Sequence, residues 1–236
     1  MPPEERLVPR FAAEPPQEQL PYGRWAERLQ GELLGACLRI DPGEAGALGD
    51  VGEISWYPER TWHGRTYVPA TAMTSSGLEV FGHVSFVRAQ DGDPTGFDAT
   101  ADATGETADA NPDWQIDLCD EVIGTWRGED GKVAAMTLVW GRPLVAGSVI
   151  ATAELTDLCV DQCVLQEERF TLIAPDDYRS DTLEVRAFDK RGNELARESL
   201  YADDEDDSED DERQRGKGTS EPAHGPENVD LPDAPG

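Results

Sequence analysis

The sequence contains no apolar run that approaches the ~20 residues needed to cross a bilayer. Residues 1–10 also lack the apolar core that a secretory signal requires. Cysteine is scarce, and its four positions are too unevenly spaced for a disulfide framework: Cys37, Cys119, Cys159 and Cys163. These absences predict a soluble, cytoplasmic protein whose cysteines remain thiols.

Basic residues are few as well. Three lysines and seventeen arginines face 49 acidic residues, which gives a formal net charge of −29 at pH 7. Residues 203–236 hold thirteen acids and three bases, so −10 of this charge is local and −19 remains on the first 202 residues. A chain this acidic is repelled by nucleic acid and by anionic membranes. We therefore expect neither as a partner, and the sequence leaves the oligomeric state open.

Sequence motifs that would mark an enzyme are also missing. The chain has no nucleophile elbow, phosphate loop, dinucleotide fingerprint or zinc-binding helix motif. Cys159 and Cys163 are four residues apart, without the second close pair or nearby histidines of a zinc site. The spacing from Asp91 to Gly96, with Asp102 in the twelfth place, overlays part of a calcium loop, but a polar hairpin loop explains the same residues. We expect no cofactor and no metal, name no catalytic residue, and lean away from an enzyme.

The chain divides by composition into an arm, a body and a tail. Six prolines in residues 1–21 predict an extended arm, and residues 22–202 are interpreted as a single mainly-β domain. Nine of the ten residues from Asp203 to Glu212 are acidic, so residues 203–236 are predicted to form a disordered tail. Residues 22–40 predict one amphipathic helix, because apolar residues recur there at spacings of three and four: Trp25, Leu29, Leu33, Ala36, Cys37 and Ile40.

The stretch from Gly124 to Pro143 predicts the centre of the fold. In residues 132–140, the side chains that follow Lys132 are apolar on both alternating faces apart from Thr137, which is typical of a strand covered on both sides in the middle of a sheet. Residues 122–127 predict its hairpin partner, and residues 128–131 form a short polar loop with glycine at each end. We expect the other strands to lie around this hairpin.

Further strand patterns recur every eight to twelve residues, which is typical of a sandwich or barrel. The predicted fold is therefore mainly β: an antiparallel β-sandwich or open barrel with one N-terminal amphipathic helix. The predicted strands lie near residues 54–57, 65–71, 78–87, 98–103, 115–119, 148–155, 160–166, 170–173, 183–188 and 194–201.

The densest group of aromatic and basic residues lies between positions 56 and 67. Aromatic rings stack on flat ligands and arginine forks onto pairs of oxygen atoms, so this group is a candidate ligand-binding site. The alternative is that the tryptophans anchor the core while the arginines lie in water. The candidate site residues are Trp56, Arg60, Trp62, His63, Arg65 and Tyr67.

Residues 124–128, Gly-Thr-Trp-Arg-Gly, resemble the Gly-x-Trp opening strand of lipocalin-like barrels, the nitrobindin group included. In those families the tryptophan closes one end of a barrel that holds a ligand. The resemblance implies the same role for Trp126, although here the motif lies in the middle of the chain. It transfers no heme-binding or other ligand-binding residue.

These observations predict a non-catalytic binding or interaction module for a small apolar or aromatic ligand or a protein partner. The alternatives are an enzyme with an unfamiliar site in the cluster from Trp56 to Tyr67, a lipocalin-like ligand carrier, and a structural component. A closed barrel with a lined cavity near Trp126 would favour ligand binding, and a filled sandwich would favour a protein partner. Polar groups that converge on His63 would favour catalysis.

Overall fold

A computed structural model of the chain describes residues 25–41, 47–88, 94–127, 133–156, 158–176 and 182–200. All of them belong to one compact unit that extends to Leu200. The predicted proline-rich arm (1–21), the acidic tail (203–236) and the hairpin loop (128–131) lie outside the described residues.

The described residues form one helix and twelve strands. The helix α1 spans Ala26–Cys37. All strand pairings are antiparallel, which confirms the predicted mainly-β, sandwich-like fold with one N-terminal helix. The strands are β1 (Ser55–Trp56), β2 (Arg60–Trp62), β3 (Arg65–Met73), β4 (Glu79–Arg88), β5 (Pro94–Thr104), β6 (Ile116–Arg127), β7 (Val133–Pro143), β8 (Ile150–Leu155), β9 (Leu158–Val164), β10 (Phe170–Asp176), β11 (Leu183–Phe188) and β12 (Glu194–Ser199).

Three sheets divide these strands. The first sheet has the order β1-β3-β4-β5 with β2 paired to β3, the second has the order β10-β7-β6, and the third has the order β12-β11-β8-β9. The central position predicted for residues 132–140 is confirmed, because β7 lies between β6 and β10 and is buried on both faces. Val139 packs toward the third sheet, while Met136, Leu138 and Trp140 pack toward the first.

Several predicted elements differ from the observed ones, and three of the differences have a clear cause. The helix is shorter than residues 22–40, because the amides of Arg39 and Ile40 bond three residues back and tighten the end of the helix into 3₁₀-type turns. The strands predicted at 115–119 and 122–127 are one strand, β6, with a register shift between Val122 and Gly124 that absorbs the irregularity. The sequence pattern did not predict β2, since three residues are too few to show alternation.

The helix and the three sheets form layers, and an apolar cluster fills the space between each pair of neighbouring layers. Leu29 and Leu33 of α1 pack on Val80 and Val84 of the first sheet. A second cluster joins the first sheet to the second, and a third fills the space between the second and third sheets. The second cluster contains Tyr57, Trp62, Tyr67, Met136, Leu138, Trp140 and Ile173. The third contains, among others, Val139, Phe170, Leu172, Leu183 and Val185.

Polar side chains also link neighbouring sheets. Thr100 of β5 donates to Oε2 of Glu121 on β6 over 2.6 Å, and Nδ1 of His83 on β4 lies 3.0 Å from the same oxygen. Arg60 of β2 forms a buried ion pair with Asp161 of β9. In the part of the chain that the structure describes, no helix is both long and apolar enough to span a bilayer.

Candidate functional site: a cleft between the first and second sheets

The six residues singled out by the sequence do not converge on one surface. Trp56 packs on the helix side of the first sheet, whereas Trp62 and Tyr67 lie on the side that faces the second sheet. Arg60 is only 4% exposed and is paired with Asp161. Arg65 donates to Oγ of Ser85 over 2.9 Å. The group stays a prediction as a ligand site, but the structure divides it between two layers.

Trp62 is 9% exposed, and its ring stacks on that of His63 with the centroids 4.3 Å apart. His63 is exposed in a tight turn with φ of 50°, and it has no hydrogen-bond partner among the described residues. No polar groups therefore converge on His63. The closed position of Trp62 favours the alternative reading of a core tryptophan.

A better-formed depression lies where β3 and β4 meet the ends of β6 and β7. We call it the inter-sheet cleft; its volume is about 340 Å³. Residues 107–109 belong to its lining. A smaller pocket of about 190 Å³ shares Glu79 and Asp117 with it and adds Phe81, Trp114 and Cys119. The polar and aromatic side chains that define the cleft are Tyr57, Thr71, Glu79, Asp117, Arg142 and Arg169.

The strand registers explain why these residues meet. Asp117 lies opposite Arg142 in the ladder between β6 and β7, and Nε of Arg142 donates to Oδ2 of Asp117 over 3.1 Å. Phe170 lies opposite Gly141, which places Arg169 at the next position beside Arg142. The end of the second sheet therefore presents one carboxylate and two guanidinium groups in a row across three strands.

Both arginines have N–H donors that no described residue accepts. Nε of Arg142 bonds to Asp117, and its two terminal nitrogen atoms have no partner among the described residues. Nη1 of Arg169 donates to the carbonyl oxygen of Trp56 over 3.2 Å and lies 3.8 Å from a carboxylate oxygen of Glu167. Its guanidinium lies over the ring of Tyr57 at 5.7 Å, and its Nη2 is without a partner in the described chain. Guanidinium donors of this kind can bind a pair of anionic oxygen atoms.

Glu79 is the half-buried carboxyl on the opposite wall. Burial raises its pKa above the ordinary value, and the charge of Asp117 raises it further, while the hydrogen bond from Thr71 and the charge of Arg142 act in the other direction. Burial also raises the pKa of the Tyr57 hydroxyl, which lies 3.5 Å from Oγ1 of Thr71. The phenol is therefore a neutral hydrogen-bonding group at physiological pH.

Beneath the charged row lies a second row with unsatisfied polar atoms. Cys119, Trp140 and Thr171 are paired across the same three strands, two residues further in and on the same face as Asp117 and Arg142. Trp140 and Thr171 are almost fully buried, and neither Nε1 nor Oγ1 has a hydrogen-bond partner in the described residues. Neither residue lines the inter-sheet cleft or the smaller pocket, so both atoms are enclosed in the core beneath the cleft.

The other reactive groups near the cleft are poorly suited to catalysis. Burial raises the pKa of Cys119 well above its ordinary value, and neighbouring carboxylates raise it further, so the thiol is protonated and unreactive. Thr100 and Glu121 both contact the same nitrogen, Nδ1, of His83, so these residues are not arranged as a nucleophile and base on opposite sides of an imidazole. Burial raises the pKa of Glu121, but the hydrogen bonds from His83 and Thr100 outweigh it and lower the net value.

Metal binding finds no support within the described ranges. No group of three or more His, Cys, Asp or Glu side chains there is arranged to hold an ion. Asp91 and Asp93 of the possible calcium loop lie outside the described residues, and Asp102 lies on the extended strand β5. All four cysteines are free.

Comparison of the chain with protein-family models, with curated proteins and with solved structures found no match.

Proposed function

We propose that this protein is a non-catalytic binding module that holds a small organic ligand in the inter-sheet cleft. The observation that carries the proposal is the pair of arginines in the lining of the cleft, Arg142 and Arg169, whose guanidinium groups keep terminal donors that no described residue accepts. The volume of about 340 Å³ supports it, because small-molecule sites usually measure roughly 300–1,000 Å³. This site replaces the cluster from Trp56 to Tyr67 as our first candidate.

Binding without catalysis is favoured by the state of the reactive groups. Cys119 is a protonated thiol, His83 ties two sheets together, and His63 stands apart from other polar groups. An enzyme would need a base and a reacting group that converge on one point. We keep the expectation of a cytoplasmic protein without a cofactor and without nucleic-acid or membrane partners.

A protein partner is the second candidate. The space between the second and third sheets is filled by fully buried side chains such as Phe170, Leu172 and Val185, including the region where Trp126 packs. A filled interior counts against the lipocalin-like carrier, which would hold its ligand there. Among the described strands β9 is at the edge of the third sheet, where unpaired backbone groups can pair with another chain, and its Val164 is 69% exposed.

Native mass spectrometry of the protein purified from its own host separates these candidates. A co-purifying small molecule adds the mass of an organic compound, whereas a partner adds the mass of a subunit. Ala108→Trp, in the lining of the cleft, should fill it and abolish the small adduct. Ala110→Trp is the matched control, because Ala110 is exposed in the same turn but does not line the cleft.

An adduct in the wild type and Ala110→Trp but not in Ala108→Trp supports the proposal. An adduct of equal amount in all three proteins would place the ligand elsewhere and contradict it. Wild-type protein that carries no small molecule, or only a subunit, would also contradict it.

A further inference from the structure

The walls of the inter-sheet cleft carry charges of opposite sign. Arg142 and Arg169 come from the second sheet, while Glu79 comes from the first sheet and Glu53 and Asp109 from the loops beside it. Asp117 also lines the cleft, and among the described residues its ion-pair partner is Arg142. A ligand with a single charge would satisfy one wall and be repelled by the other.

The basic wall fits a carboxylate. Arg142 and Arg169 occupy neighbouring positions on adjacent strands, and each keeps terminal nitrogen donors without a partner in the described residues. Two guanidinium groups repel each other unless an anion lies between them. A carboxylate accepts two parallel hydrogen bonds from such a fork, which gives both charge compensation and orientation.

The acidic wall fits an ammonium group. Glu79 is half-buried and lies near the charge of Asp117, an arrangement that destabilises its ionised form. A cationic amine next to Glu79 would offset that penalty and add to the partial compensation that Arg142 supplies. The hydroxyl groups of Thr71 and Tyr57 lie on the same wall and offer further neutral hydrogen-bonding groups.

Room for an apolar substituent adjoins the charged walls. The neighbouring pocket of about 190 Å³ shares the lining residues Glu79 and Asp117 with the cleft. Phe81, Trp114 and Leu118 form its apolar part, and Glu106 and Asp120 also line it. Aromatic rings in this position would cover a hydrocarbon or aromatic side chain. Together, the two volumes have the size of a single small molecule rather than a folded segment.

We propose that the ligand of the inter-sheet cleft is a zwitterion of the amino-acid type, with its carboxylate on Arg142 and Arg169 and its ammonium group beside Glu79. This inference rests on the proposed binding function and names its ligand class. The apolar side chain of the ligand lies against Phe81 and Trp114.

Isothermal titration calorimetry on the full chain tests the ligand class. The probes are L-phenylalanine and L-leucine, each compared with its methyl ester, which lacks the carboxylate, and with its N-acetyl derivative, which lacks the ammonium group. We expect at least one free amino acid to bind, and each derivative to bind roughly tenfold more weakly or worse, since a charge-assisted hydrogen bond contributes about 1.5–3 kcal/mol.

Two variants test which wall of the cleft binds which charged group of the ligand. Arg142→Gln should weaken binding of the free amino acid but leave the affinity for the methyl ester unchanged. Glu79→Gln should weaken binding of the free amino acid but leave the affinity for the N-acetyl derivative unchanged. Glu27→Gln, on the exposed face of α1, is the control and should alter none of these affinities. If Arg142→Gln fails to fold, Arg169→Gln tests the same wall.

Equal affinity for the ester and the free amino acid would mean that only the cation is recognised, and equal affinity for the N-acetyl form would mean that only the anion is. Either result overturns the inference. If neither amino acid binds while native mass spectrometry still shows an adduct that Ala108→Trp abolishes, the ligand class is wrong and the binding function stands. If that adduct is also missing, the binding function itself has failed.

Discussion

Gly124 lies directly against the indole of Trp62, so a Cβ atom at position 124 would come within 2.8 Å of Cζ3 and 3.0 Å of Cη2. This contact joins the central hairpin to the aromatic cluster of the first sheet. It also explains why glycine occupies the first position of the Gly-x-Trp sequence, since a side chain there would push the first and second sheets apart. Trp126 packs partly against the clusters on both sides of the second sheet.

Gly124→Ala should therefore destabilise the protein by about 1–3 kcal/mol, the usual cost of overpacking a filled core. Urea unfolding followed by tryptophan fluorescence measures the change. Gly31→Ala is the control: no atom lies within 4 Å of a Cβ built there, and alanine should stabilise the exposed face of α1 by up to ~1 kcal/mol. If both substitutions stabilise the protein equally, the contact between Gly124 and Trp62 is not tight.

Trp62→Ala should cost about 3–5 kcal/mol, because it leaves a cavity between the first and second sheets. His63→Ala removes the exposed ring stacked on Trp62 and should change stability by no more than about 0.5 kcal/mol. Thermal melts of both variants provide the comparison. A Trp62→Ala protein of nearly unchanged stability that has lost its ligand would restore the cluster from Trp56 to Tyr67 as the binding site.

Met136→Asp should cost roughly 3 kcal/mol or more, since it places an unpaired carboxylate in the central strand. Met136 is 0% exposed, whereas Val133 at the start of the same strand is 50% exposed. Val133→Asp is therefore the matched control and should fold with a small loss of stability. Circular dichroism and solubility decide the outcome; a soluble, cooperatively folding Met136→Asp would contradict the buried position of β7.

Glu79→Gln should stabilise the ligand-free protein at neutral pH. Burial and Asp117 raise the pKa of Glu79 above its ordinary value of 4.5, so the folded state disfavours the ionised form. The penalty is fully present above the raised pKa, declines as the pH falls through that value, and is absent below the unfolded value. The melting temperature of Glu79→Gln should exceed that of the wild type at pH 7 and match it near pH 4.

Glu27→Gln corrects this comparison for the general loss of one negative charge from an acidic protein. Its effect should be small at both pH values, because Glu27 is exposed on α1. A stabilising effect of Glu79→Gln that persisted unchanged at low pH would show that ionisation of Glu79 is not its cause.

Residues 132–140 illustrate how much of the fold local sequence specifies. Their apolar side chains on both faces predict a strand covered on both sides, and β7 takes that position. The helix, the hairpin and most other strands follow from the same kind of periodicity, because hydrogen bonds and burial along one element repeat with the element's own geometry. The sequence pattern did not predict the short strand β2 or the joining of two predicted strands into β6, since neither produces a distinct periodicity of apolar residues.

The inter-sheet cleft could not be predicted from the sequence pattern. Glu79, Asp117, Arg142 and Arg169 are isolated in the sequence and belong to no motif. Asp117 and Arg142 become partners only through the register between β6 and β7, and Glu79 meets them only because the first sheet packs on the second. The sequence by itself determined which segments are strands and which faces are apolar, because those properties depend on near neighbours in the chain. Only the tertiary structure decided which strand ends lie together, because stacking of sheets depends on the shapes of whole apolar faces.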